Sequence, residues 1–159
     1  MYSTTVFVRS PSPMLRQHRR RLAAFAKTTA GLVDVKLSSA GLFSTDTALV
    51  RARVFDTPTG VAFLETLPQE MDLRSYGDEV YGPLKSAPLP PFQRQPMIPP
   101  GGLAYSEDGN FLCVFYGQAP AWPVEYIGHI EDWKSLKTGG WNGLIVSRVL
   151  DAESSDTDA

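Results

Sequence analysis

Between Gly101 and Ile130 the chain carries three short apolar runs separated by turn and loop sequence, and this spacing constrains its fold more than any other feature. Gly101-Gly102-Leu103-Ala104-Tyr105 reads as a strand with a glycine entry. Ser106-Glu107-Asp108-Gly109-Asn110 is a turn with the Asp-Gly hairpin signal. Phe111 to Tyr116 is continuously apolar, which predicts a strand covered on both faces, and Val124 to Ile130 predicts another. Runs this short, punctuated this often, suit a sheet and not a helical bundle.

The flanking sequence fits the same plan. Ala48 to Phe55 alternates at its charged end, as a half-buried strand does. Asp56-Thr57-Pro58-Thr59 is a helix start with proline suited to the first turn, and Val61, Phe63, Leu64 and Leu67 fall on one side of a short helix that Pro68 ends. Met71 to Tyr81 reads as a strand interrupted near Gly77. The seven prolines between residues 83 and 100 predict a long irregular crossing, because strong strands follow it. A short helix over Glu131–Leu136, a turn at Thr138-Gly139-Gly140 and a strand over Leu144–Leu150 complete the series. The fold class expected is mainly β, a closed eight-stranded barrel with one or two short helices.

At 159 residues the chain is one domain in size, large enough to bury a core without disulfides. Residues 1–40 are expected to form a basic extension, helical from about Met14 to Lys27. Residues 41–150 form the barrel, and the acidic residues 151–159 a disordered tail. The net charge of -2 argues against nucleic acid as a partner. No apolar run approaches the roughly 20 residues that span a bilayer. Arg19-Arg20-Arg21 followed by Leu22 to Ala26 resembles a twin-arginine signal, but Lys27, Thr28 and Thr29 interrupt it early, so a cytoplasmic location without membrane contact is expected.

Two histidines far apart and a single cysteine offer no metal site of ordinary ligand spacing. There is no phosphate-cradling glycine motif and no Gly-x-Ser-x-Gly elbow, so no cofactor is expected.

Several segments in order resemble one family. Gly102-Leu103-Ala104-Tyr105, Gly109-Asn110-Phe111-Leu112-Cys113-Val114-Phe115-Tyr116-Gly117 and Pro123-Val124-Glu125-Tyr126-Ile127-Gly128-His129-Ile130 resemble the bacterial and archaeal cyclophilin-like proteins of the DUF369/DUF3830 group. Asp56 to Thr59, Phe63 to Pro68 and Tyr76 to Tyr81 fit the same order upstream, so the resemblance covers roughly residues 45–150. It implies an eight-stranded barrel capped by helices and no prolyl isomerase activity. Gly101-Gly102 stands where Gly-Asp is usual, and Glu125 where asparagine is frequent.

The more distant resemblance to true cyclophilins sets Glu79 near the position of their catalytic arginine, and turns Phe111 and Cys113 toward an outer groove. A carboxylate cannot donate the hydrogen bond that helps the prolyl amide twist unless it is protonated. Glu79 is thus a candidate general base or a hydrogen-bond acceptor for a ligand amine. Cys113 is a candidate nucleophile if His129 lies within reach. Tyr81, Tyr105, Phe111, Phe115, Tyr116 and Trp122 are the candidate ligand-binding aromatics, with Trp122 after a proline-containing loop the best placed to be exposed.

Three functions compete on these residues. One is a binding protein for a small molecule or peptide. The second is an enzyme acting on a small amide or lactam ring through Glu79 with Cys113 or His129. The third is a weak prolyl isomerase. An open groove also leaves room for a homodimer.

Overall fold

The computed structural model describes residues 27–42, 45–137 and 140–150. Nearly all of the expected basic helix, the turn at Thr138-Gly139 and the acidic tail lie outside those residues.

Ten strands form one sheet. β1 (Thr29–Ala40) and β2 (Thr45–Phe55) are the longest, and their alternation is strict: Val33, Val35 and Leu37 face inward from β1, and Val50, Ala52 and Val54 from β2. The helix α1 (Pro58–Glu65) follows. The Thr57 side chain accepts a hydrogen bond from the Gly60 N–H at 3.0 Å, with Pro58 in the first turn. Phe63 and Leu64 pack into the barrel's core. The Arg148 guanidinium donates to the Leu64 carbonyl at 2.9 and 3.2 Å, which satisfies one of the helix's terminal acceptors.

β3 (Gln69–Asp72) and β4 (Arg74–Tyr76) are one stretch of chain broken only at Leu73, and they sit at opposite edges of the sheet. β3 pairs with β10 (Gly143–Arg148), and β4 pairs with β5 (Glu79–Pro83). This shared stretch closes the sheet. Counting it once, the barrel runs through β10, β1, β2, β9 (Val124–Ile130), β7 (Gly102–Ser106), β8 (Phe111–Phe115) and β5, which makes eight strands. The expected closed eight-stranded architecture is the one observed. β6 (Arg94–Gln95) adds a short outer pairing to β9.

The barrel does not begin where the sequence reading placed it. Residues 29–40 were assigned to the extension, but β1 pairs along its length with β2 and with β10. The inward Val33, Val35 and Leu37, with Asp34 and Lys36 between them, carry the period-2 signal that the basic charge of the preceding segment obscured.

β8 is covered on both faces, as its continuous apolar run predicts: Leu112 and Val114 point inward, while Cys113 and Phe115 are buried in a second cluster outside the barrel. The β7–β8 turn places Gly109 and Asn110 at φ of 91° and 57°. Asparagine tolerates that left-handed region, and here its amide nitrogen donates to the Ser86 carbonyl at 2.9 Å, tethering the proline-rich crossing. A buried Glu125 tethers the crossing again, accepting from the N–H groups of Phe92 and Gln93 at 2.8 and 2.9 Å.

Candidate functional site: a groove on the outer face of the barrel

Strand register builds the site. Across the outer face, Arg74 lies opposite Tyr81, Tyr81 opposite Cys113, and Cys113 opposite Ala104. One row along, Tyr76 lies opposite Glu79 and Glu79 opposite Phe115. On the other side, Pro83 lies opposite Phe111 and Phe111 opposite Ser106. Because side chains alternate along a strand, these three rows share one face. The loop after β8 contributes the facing wall with Pro120, Ala121 and Trp122. The groove between them holds about 380 Å³, within the range of small-ligand sites.

Glu79 is half-buried in this groove. Its carboxylate accepts a hydrogen bond from the Gln118 amide nitrogen at 3.4 Å and one from the Cys113 thiol. The Gln118 orientation is fixed from behind, since its Oε1 accepts from the Asp78 N–H at 3.0 Å. Gly77, at φ 57°, makes room for that amide: a Cβ there would lie 2.0 Å from Gln118 Oε1. Burial raises the Glu79 pKa above the ordinary carboxylate range, and the two hydrogen bonds offset part of that rise. Among the described residues Glu79 has no ion-pair partner.

Cys113 is nearly fully buried beside it. Desolvation, the Glu79 charge and the hydrogen bond to Glu79 all push its thiol pKa up. This is the reverse of what activates a cysteine nucleophile. His129 stands two strands across and three residues along from Cys113, through Ala104 and Tyr126. That is roughly 10 Å in each direction, too far for proton transfer. The His129 Nδ1 instead meets the Tyr126 hydroxyl at 3.1 Å, and burial lowers its pKa.

The six aromatic candidates divide. Tyr81, Phe111, Phe115 and Trp122 line the groove. The Tyr81 and Phe111 rings meet edge to face at 5.3 Å between centroids. The Trp122 indole N–H donates to Ser106 Oγ at 3.0 Å, which orients the exposed ring. Tyr105 and Tyr116 belong to the barrel interior. Tyr105 alternates with the outward Ala104 and Ser106. Tyr116 follows the outward Phe115, so the pleat turns both tyrosines inward.

The sequence reading did not anticipate Arg74, Tyr76, Ser106 or Gln118 at the site. The turn between β4 and β5 brings Arg74 opposite Tyr81 and thus into the groove. A hairpin centred on Gly77-Asp78 would have given that register; no signal in the sequence marks Gln118. Among the described residues, no group of three or more His, Cys, Asp or Glu side chains could hold a metal ion, and no helix is long and apolar enough to cross a membrane.

Comparison with known families agrees with this fold. The model of the cyclophilin-like family matches residues 43–139, more than half of the chain. The chain belongs to the cyclophilin-like family. No curated protein matches it. A solved structure similar to this cyclophilin-like barrel is the solution structure of a hypothetical protein from Archaeoglobus fulgidus, with a TM-score of 0.61 and 20% identity over 78% of this chain and 98% of that one. At that identity the likeness speaks to the fold alone.

Proposed function

We propose that this cyclophilin-like protein binds a small molecule or a short extended peptide in the groove over Glu79 and does not catalyse prolyl isomerisation. The observation that carries this reading is a half-buried carboxylate, without an ionic partner among the described residues, in an aromatic-walled groove of about 380 Å³. Two hydrogen bonds from the protein hold the carboxylate in place, and a ligand donor would complete its shell. Isomerisation calls for a donor aimed at the prolyl amide; Glu79 is an acceptor, and Arg74, the guanidinium of this groove, stands exposed at its rim.

Thermal-shift screening against wild type, Cys113→Ala and Glu79→Ala tests the binding reading. Ligand-induced shifts should persist in Cys113→Ala and vanish in Glu79→Ala; shifts indifferent to Glu79 would refute the site. A proline-peptide isomerisation assay should give the uncatalysed rate for wild type, and turnover at ordinary cyclophilin levels would overturn the second half of the proposal.

A second reading, hydrolysis of a small amide or lactam ring, draws on the raised pKa of Glu79, which suits a general base. The depressed nucleophilicity of Cys113 and the distance to His129 leave Glu79 as the group to carry it. On this reading Glu79→Gln abolishes turnover and Cys113→Ala does not.

A further inference from the structure

Resting on the groove-binding reading above, we propose that the ligand is a small zwitterion with a compact ring, an aromatic or cyclic amino acid in type, whose amino nitrogen meets Glu79 and whose carboxylate meets Arg74.

The argument begins with two opposite charges in one groove that do not neutralise each other. Arg74 on β4 and Glu79 on β5 are diagonal neighbours, one row apart on the same face, a spacing of about 7–8 Å in an antiparallel pair. The ion pairs among the described residues are Arg51 with Asp34, Arg53 with Glu131 and Arg94 with Glu107, and none of them involves the groove charges. Arg74 is exposed at the rim, whereas Glu79 is half-buried.

A ligand bearing one charge satisfies only half of this arrangement. A plain carboxylate reaching Arg74 would face the Glu79 carboxylate, and a plain amine reaching Glu79 would face the guanidinium. A molecule carrying both groups meets each with its opposite. The hydrogen-bond polarity at Glu79 agrees. Gln118 is committed to donating by its bond from the Asp78 N–H, and the Cys113 thiol donates as well. The open valence of the carboxylate therefore takes a third donor, such as an ammonium or a ring N–H. Tyr81 lies directly opposite Arg74 and two residues from Glu79, so it neighbours both charges, and with Phe111 and Trp122 it offers an apolar bed for a ring of the ligand.

The experiment is an NMR titration that follows the Trp122 indole resonance with L-phenylalanine, phenethylamine, hydrocinnamate and benzyl alcohol. L-Phenylalanine should bind at least about tenfold more tightly than each of the other three. Arg74→Ala should weaken L-phenylalanine roughly ten- to a hundredfold and bring it to the phenethylamine level, and Glu79→Gln should bring it to the hydrocinnamate level. Arg74→Lys, which keeps the charge, should retain most of the preference. If phenethylamine, hydrocinnamate or benzyl alcohol binds as tightly as L-phenylalanine, the paired-charge inference falls while groove binding stands. If none of the four shifts the indole, the zwitterion inference falls, while the groove-binding reading is decided by the thermal-shift screen. Unchanged L-phenylalanine affinity in Arg74→Ala also overturns the inference.

Discussion

Glu79 and Cys113 are diagonal neighbours on the outer face of β5 and β8, and the thiol of one donates to the carboxylate of the other. The contact ties two polar groups of the groove into one unit, in which the carboxylate favours the protonated thiol. This makes the chemistry of Cys113 a reporter on Glu79.

Alkylation should therefore be slow in the wild type and faster once the carboxylate is neutralised. With iodoacetamide near neutral pH, Glu79→Gln should raise the Cys113 reaction rate roughly threefold or more, because removing the adjacent negative charge favours the thiolate. A rate that is unchanged or lower would mean that burial alone protects the thiol.

The pH dependence of stability follows from the direction of the Glu79 shift. Burial raises its folded pKa, so the folded protein binds this proton more tightly than the unfolded chain does. That contribution to folding is present in acid and is lost as pH rises from the ordinary glutamate range through the folded value. Glu79→Gln should accordingly melt higher than wild type at about pH 7, and the gap should narrow on acidification. Circular-dichroism melts across that range check this; a gap that does not vary with pH would contradict it.

The inward hydroxyl of Tyr105 links three segments. It donates to Asn110 Oδ1 at 2.8 Å and accepts from the Leu89 N–H at 3.1 Å, joining β7, the β7–β8 turn and the proline-rich crossing. Tyr105→Phe leaves a buried N–H without its acceptor, and it should cost about 1–3 kcal/mol in denaturant unfolding. It should leave groove ligands unaffected, because Tyr105 points away from them. A loss of groove binding without loss of stability would place Tyr105 in the site after all.

Barrel closure rests on the absence of a side chain at Gly82. A Cβ there would lie 2.5 Å from the Asp72 carbonyl oxygen and 2.9 Å from Met71 Cγ, so β5 passes close against β3. Gly82→Ala should destabilise by about 1–3 kcal/mol through overpacking. Gly140→Ala, with nothing within 4 Å of its new Cβ, should change stability by less than about 0.5 kcal/mol. Equal effects at the two positions would refute the account of closure.

Local patterns in the sequence were enough for much of this fold. The apolar runs at 101–105, 111–116 and 124–130 became β7, β8 and β9, and the Thr57-Pro58 signal started α1. Each depends on residues close together in the chain, where alternation and turn chemistry act directly. The outward facing of Phe111 and Cys113 followed from the same period of two, given the family register. β1 was legible too in Val33, Val35 and Leu37, but a basic flank drew attention from the alternation.

The tertiary structure decided what lies beside what. Whether Tyr105 and Tyr116 face a ligand or the core depends on which side of the pleat the barrel encloses, and one strand does not carry that information. The distance from Cys113 to His129 is set by the two strand steps between β8 and β9. The approach of Gln118 to Glu79 depends on a loop crossing 39 positions of sequence separation. The sequence by itself determined most of the strands, the helix start and a carboxylate on a cyclophilin-like sheet. The Gly77-Asp78 hairpin sets Arg74 beside Glu79 locally, but only the long-range pairing of β5 with β8 and of β7 with β9 set that pair in a groove with Cys113 and kept His129 out of it, because such pairing fixes neighbours that local patterning leaves open.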